Sequence, residues 1–263
     1  MGCSGSTLAN QQMETAALFN SALPSTATEE VRQVKHFTGI HVADGIVLTA
    51  NVSADGSSSL TLIADADVLS KVRSKVDRWG TLVLSRKWGA GSSRVVARAL
   101  VPGPLTYAGA SAQGFLTATS VAGSMVVSNQ GQITAKTLES SKPVSIVASS
   151  SSSIVVSDGE VPSISVTCSA KSEVLLGELK ADRGVVTVSS LSKIEGMTVG
   201  IAQITAANSS SVALTVTQHA DLTSLSSEVQ IGGAGDVTNH AEWACSVSRP
   251  VQANSKSARE IFA

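Results

Sequence analysis

Ser153-Ile154-Val155-Val156, Ser172-Glu173-Val174, Ser192-Lys193-Ile194, Ser211-Val212 and Ser227-Glu228-Val229 open successive apolar runs of the chain. From Ile154 to Val174 is 20 residues, from Val174 to Ile194 another 20, from Ile194 to Val212 18, and from Val212 to Val229 17. A period near 20 is that of one coil of a solenoid built from short strands. Between these runs lie others of the same kind: Ile164-Ser165-Val166-Thr167, Val185-Val186-Thr187-Val188 and Ala202-Gln203-Ile204. Each coil therefore carries at least two strands.

One such coil cannot bury its apolar face alone. Stacked coils pair each backbone N–H and C=O with the next coil and set aliphatic side chains on one another inside. This reading puts Ile154, Val174, Ile194, Val212 and Val229 in the core. Strict alternation puts Ser and Thr outside. The polar run Ser149–Ser153 reads as a corner rather than a linker, because the strand Ile154-Val155-Val156 follows at once.

The bulk composition agrees. The chain has 263 residues, enough for one elongated all-β domain or two small ones. Hydrophobic residues reach 43% but aromatics only 3%, so the core is aliphatic. Charged residues are 15%, below the usual quarter. A net charge of −1 with no Lys/Arg cluster gives no footprint for nucleic acid. Cys3, Cys168 and Cys245 are far apart and form no C-x-x-C pattern. A Cys168–Cys245 disulfide fits this spacing, but two buried thiols are the preferred reading. No apolar run reaches membrane-spanning length.

Upstream, residues 1–30 read as a flexible tail, with a short helix over Met13–Phe19. Residues 31–248 form the solenoid, with 31–100 as its N-terminal cap and 116–248 as its repeating coils; 249–263 is a second tail. In the cap, Phe37 to Val42 and Ile46 to Val52 alternate as strands, with turns at Asp44-Gly45 and Asp55-Gly56. Val68, Leu69, Val72 and Val76 recur at helical spacing, so a short helix is expected there. The end of that segment equally fits a strand paired across Trp79-Gly80 with Leu82-Val83-Leu84.

Three stretches carry a family resemblance: Arg32-Gln33-Val34-Lys35-His36-Phe37-Thr38-Gly39-Ile40-His41-Val42, Ala64-Asp65-Ala66-Asp67-Val68-Leu69, and Gly80-Thr81-Leu82-Val83-Leu84. Together they resemble the opening of the auto-transporter adhesin head, or GIN, domain family. That family continues in Ser-Gly-x-Gly-like coils, whereas here only Gly232-Gly233-Ala234-Gly235-Asp236 has that form. The resemblance covers roughly residues 31–248. It implies a right-handed parallel β-helix with a short helix near its N-terminal cap, and a cell-surface or adhesion-like role. It supplies no catalytic residues.

The sharpest local motif is Met1-Gly2-Cys3-Ser4-Gly5-Ser6, which fits the acceptor pattern for myristoylation at Gly2. Cys3 stands where palmitoylation follows. One acyl chain anchors marginally and a second makes anchoring durable. The alternatives are an ordinary disordered start, or added residues before the cysteine of a bacterial lipoprotein. Myristate implies the cytoplasmic face in a eukaryotic source, and a lipoprotein cysteine the bacterial cell surface.

Other constellations read as structural. His36, His41, His219 and His240 lack metal spacing. Asp65 and Asp67 could pair as carboxylates but fit a solvated turn before a helix. Gly89-Ala90-Gly91 lacks the context of a phosphate loop. Trp79, Trp88 and Trp243 suit a core cap more than a sugar platform. No G-x-S-x-G elbow occurs. The expectation is therefore a non-enzymatic structural or adhesion-like module without metal or cofactor. Its partners would be a protein or glycan surface, further copies of itself, or a membrane through lipid. The alternatives are a pectin lyase-like carbohydrate enzyme and a surface-binding solenoid, which would need ranks of threonine on one flat face.

Overall fold

The computed structural model describes residues 27–87, 94–233, 235–239 and 247–248. These residues form a β-solenoid, and among them there is one short helix, α1 (Ala66–Leu69). Its strands run in chain order as β1 (Thr28–Arg32), β2 (Gly39–Val42), β3 (Ile46–Val52), β4 (Ser59–Ala64), β5 (Val72–Val76), β6 (Thr81–Arg86), β7 (Val95–Val101), β8 (Leu105–Ala110) and β9 (Phe115–Val127). They continue as β10 (Gln132–Glu139), β11 (Val144–Ala148), β12 (Ser153–Cys168), β13 (Glu173–Val188), β14 (Lys193–Ala207), β15 (Ser211–Leu225), β16 (Glu228–Gly232), β17 (Asp236–Asn239) and β18 (Val247–Ser248).

Two parallel ladders run the length of the molecule. One, here face 1, joins β6, β2, β8, the second half of β9, β11, the second halves of β12 to β15, and β17. Face 2 joins β7, β3, the first half of β9, β10, the first halves of β12 to β15, then β16 and β18. Inside face 2 a single column of aliphatic residues reads Leu48, Leu116, Ile133, Ile154, Val174, Ile194, Val212, Val229. Every member is at most 1% exposed. Inside face 1 the matching column is Leu82, Ile40, Ala108, Met125, Ile146, Val166, Val186, Ile204, Leu222. The two columns meet in one contiguous core. The fold follows from identical strand periods: each aliphatic side chain sits about 4.8 Å from its equivalents above and below.

The N-terminal end inverts this order. The first coil in sequence, β2–β3, lies second in space, between the β6–β7 coil and the coil begun by β8. The outer coil is closed by antiparallel strands: β5 on β6, β4 on β7, and β1 on β4. Antiparallel closure ends the parallel stack and lessens its tendency to add another chain. The short helix expected in this segment is confined to Ala66–Leu69, and the end of the segment follows the alternative reading, a strand paired with Leu82-Val83-Leu84. Val72–Val76 is a strand, with Val76 opposite Leu82, because the apolar face of β6 offers it a ladder to join. The turn at Asp55-Gly56 forms as read. The Asp55 carboxylate accepts hydrogen bonds from the Ser53 hydroxyl and the Ser57 N–H, which hold its pKa down to about 2.

One corner repeats at six successive coils, from the one after β8 to the one before β15. Two consecutive residues take positive φ: Ala112-Gln113, Asn129-Gln130, Ser150-Ser151, Ala170-Lys171, Ser190-Leu191 and Asn208-Ser209. Their N–H groups bond to the next corner, as in Ser151 N–H to Ala170 O at 2.9 Å and Lys171 N–H to Ser190 O at 2.9 Å. Stacking of the corners thus holds non-glycine residues in a conformation that an isolated turn would avoid.

Here the alternation rule fails. Ser152, Ser172, Ser192, Ser210 and Ser227 close these corners and are buried, not solvent-facing. Ser152 N–H donates to Ser172 Oγ and Ser172 N–H to Ser192 Oγ, both at 3.2 Å. Ser210 Oγ donates to Val188 O at 3.3 Å. Each serine lies in the corner, before its strand starts, so the two-residue period does not govern it. Ser172→Ala should therefore cost about 1–3 kcal/mol, since it strips a buried N–H of its acceptor. Ser153→Ala, half-buried at the start of β12, should stay within about 0.5 kcal/mol. Urea unfolding of the two variants checks the contrast.

Candidate interaction faces

Register turns scattered threonines into a rank. On the outer side of face 1, Thr167, Thr187, Thr205 and Thr223 stand directly beside one another on β12 to β15. The last three are exposed. Beside them runs a second column, Ser165, Val185, Gln203, Asp221 and Thr238. Val185 is 47% exposed on this face. The hydroxyls repeat at the strand spacing, so the rank is regular, with the exposed carboxylate of Asp221 beside it. Along the chain the visible threonine repeats, Thr117-Ala118-Thr119 and Thr215-Val216-Thr217, each lie within a single strand. The rank runs across strands, with members 20 and 18 residues apart. Only the coil period, carried to the outward positions, could have found it.

A shallow groove of about 640 Å³ lies along the bend between the faces. Glu139, Glu160 and Asp182 line it, with Ser140, Ser141 and Pro162. Glu139 and Glu160 are register partners, and Glu160 faces Lys180 on the next coil. All three carboxylates are exposed.

A third cluster sits on face 1 near the N-terminal end. His41 Nε2 is 3.0 Å from Ser111 Oγ, and its Nδ1 is 3.5 Å from the Tyr107 hydroxyl. The two rings stack with centroids 6.5 Å apart. Burial lowers the His41 pKa and raises that of Tyr107. Gly109 makes room: a Cβ there would come within 2.4 Å of His41 Nδ1. The Ser111–His41 contact has the form of a nucleophile and its base. Its surroundings are those of a coil corner, however. The N–H groups of Ser111, Gln113 and Gly114 are all bonded to carbonyls, of Val42, Asn129 and Ser111. They are not free to stabilise an oxyanion.

The remaining sequence candidates are scattered. Asp65 precedes α1 and Asp67 lies in its first turn. His219 bonds Asp221 at 3.0 Å on the outer surface. Trp79 is 71% exposed, with the Arg78 guanidinium 4.1 Å from its ring centroid. Gly232 ends β16 and Asp236 begins β17. Among the described residues, no group of three His, Cys, Asp or Glu is placed to hold a metal, and no helix is long and apolar enough to cross a membrane. Gly2, Cys3, His240, Trp88, Trp243, Cys245 and the Gly89-Ala90-Gly91 stretch lie outside the described residues. Ile154, Val174, Ile194, Val212 and Val229 form the buried column described above.

Cys168 is a free, buried thiol stacked between Ala148 and Val188. Burial pushes its pKa up to about 11. The thiolate is the reactive form. Iodoacetamide at pH 8 should therefore leave Cys168 unmodified in the native protein and alkylate it fully in denaturant, as peptide mass mapping will read.

Similar proteins were found by family and by structure. A family model described as "Putative auto-transporter adhesin, head GIN domain" matches residues 36–217. No curated protein matches. Among solved structures, a "putative adhesin" from Parabacteroides merdae ATCC 43184 superposes with a TM-score of 0.78 at 12% identity, over 87% of this chain and 98% of its own. A "putative adhesin" from Parabacteroides distasonis ATCC 8503 gives 0.71 at 14% identity, over 86% and 97%. A "Putative lipid binding protein" from the same organism gives 0.60 at 16%, over 86% and 96%. At such identities the likeness is one of fold. The family match spans most of the chain and coincides with the stacked coils, so this chain belongs to the auto-transporter adhesin head GIN domain family.

Proposed function

We propose that the chain is a non-enzymatic, adhesin-like module that binds through the outer side of face 1. The observation that carries this reading is the rank Thr167, Thr187, Thr205, Thr223 with its neighbouring column of Ser165, Val185, Gln203 and Asp221. A rigid array of hydroxyls suits contact with a glycan or protein surface, or with a second copy. Its rigidity limits the entropy lost on binding. Family membership supports display at a cell surface. In that setting Cys3 would carry the lipid of an exported lipoprotein, whereas myristate on Gly2 would place the module on a cytoplasmic membrane face.

A specific observation favours a second reading. Glu139, Glu160 and Asp182 along one groove, with Lys180 in register, resemble the donor set of a carbohydrate-active β-helix enzyme. One experiment separates the two. The full chain and a Thr187→Lys/Thr205→Lys variant are applied to a glycan array and to sedimentation for self-association. Polysaccharide turnover is assayed in parallel. Saturable binding that the double variant loses, with unchanged melting, is expected. Binding that survives the variant, or turnover abolished by Glu160→Gln, overturns the reading. Intact mass of protein from its native source decides the lipid: acylation at Gly2 or Cys3 supports the tether, and an unmodified N-terminus removes it.

A further inference from the structure

The described residues beyond Leu100 expose four large aliphatic side chains, and all four gather on one side of the molecule. Val185, Leu191, Ile201 and Leu225 are 42–61% exposed. Val185, Ile201 and Leu225 point outward from face 1, and Leu191 sits at the corner that follows β13. They flank the threonine rank, with Ile201 and Val185 on one side of it and Leu225 and Leu191 on the other. Scattered singly such side chains carry no message, but gathered on one face they mark a contact surface. The charges on this face are ordered as well. One register column reads Arg183, Ile201, His219, Asp236 from β13 to β17. Arg183 and Asp236 stand at its two ends, both exposed, and among the described residues neither forms an ion pair. Asp221, by contrast, is bonded to His219 at 3.0 Å.

We propose that this part of face 1 is an isologous dimer interface, occupied by a second copy of the chain. The inference rests on the reading of face 1 as the binding surface and names its partner. A two-fold axis parallel to the strands and midway between β14 and β15 returns each column in reverse order. Arg183 then faces Asp236 of the second copy, and Asp236 faces its Arg183, so one ion pair closes each end of the contact. Between them Ile201 faces His219, Gln203 faces Asp221 and Thr205 faces Thr223, which lets the amide and the hydroxyls hydrogen-bond across the interface. Packed sheets lie about 10 Å apart, a gap that an arginine and an aspartate span together. With like charges at the two ends the face would repel its own copy; the opposite signs make it self-complementary. Among its outward residues there is no Trp, Tyr or Phe for a sugar ring to stack on, which favours a protein partner over a glycan. Four strands about 4.8 Å apart and about eight residues of about 3.3 Å give about 500 Å² per copy. The pair then buries about 1,000 Å², the lower edge of a stable interface. The dimer is therefore expected to form and dissociate at micromolar concentration.

Sedimentation velocity of the full chain, from low to high micromolar concentration, tests this. A monomer–dimer equilibrium is expected. Arg183→Asp or Asp236→Arg alone sets like charges opposite each other and should weaken the dimer about tenfold or more. The two single variants mixed in equal amounts should associate again, because each supplies the charge that the other lacks. The chain carrying both changes should regain the association of the parent. Both positions are exposed, so the melting temperature should hold throughout. A parent that stays monomeric, single variants that dimerise like the parent, or a mixture that stays dissociated would each overturn the inference. Its failure is distinct from that of the face 1 reading. A monomeric parent whose glycan binding is lost in Thr187→Lys/Thr205→Lys leaves that reading standing. A dimer, and any glycan binding, indifferent to all of these variants sinks both.

Discussion

Val174→Asp is expected to leave the protein unfolded at room temperature. Val174 is fully buried between Ile154 and Ile194 in the central column of face 2. An unpaired charge there costs about 3–5 kcal/mol. Protonation of the new carboxyl lessens this but leaves a polar group unsatisfied among aliphatics. Such a loss is comparable with the whole stability of many domains, about 5–15 kcal/mol. Coils are held mainly by their neighbours, so a break at β13 also strips β12 and β14 of a partner. Ile194→Asp should behave alike. Thr187→Asp, on the same strand but exposed, should shift stability by no more than about 0.5 kcal/mol. Far-ultraviolet circular dichroism with urea titration reads all three. A Val174→Asp protein as stable as the parent would refute the assignment of the inner column.

Gly159→Ala should be nearly as damaging, for a reason that involves no burial of charge. Gly159 adopts φ +146, where L side chains are strained, at a cost of about 1–3 kcal/mol. A Cβ would also lie 2.0 Å from the carbonyl oxygen of Leu138, its register partner on the preceding coil. That atom is backbone within a paired strand, so it cannot swing aside. The variant should lose about 3 kcal/mol or more in urea unfolding. Gly103→Ala provides the control: its Cβ meets nothing within 4 Å, and the change should be close to neutral.

Much of this architecture is legible in the chain. The coil period comes from the spacing of Ile154, Val174, Ile194, Val212 and Val229, because each coil repeats the one before it. The strand over Ile46–Val52 and the turn at Asp55-Gly56 are also read correctly, since both depend on local patterning. The extent of α1 is open in the sequence, because Val72–Val76 fits equally a helix or a strand paired with Leu82-Val83-Leu84, and the ladder with β6 decides for the strand. The buried serines escaped for a related reason: their burial follows from the stacking of corners, not from alternation along a strand. Family motifs identified the fold but carried no chemistry, so the candidate faces had to come from register.

By itself the sequence determined that the chain stacks aliphatic coils near 20 residues long and exposes hydroxyls, because periodicity and alternation are local properties. The tertiary structure decided which coils are neighbours. It placed β2–β3 between two later coils, aligned Thr167, Thr187, Thr205 and Thr223 into one rank, and turned Val155 and Leu175 away from the core yet out of water. Neighbours across a ladder are set by the register of strands far apart in the chain, and that register follows from the packing of the whole core.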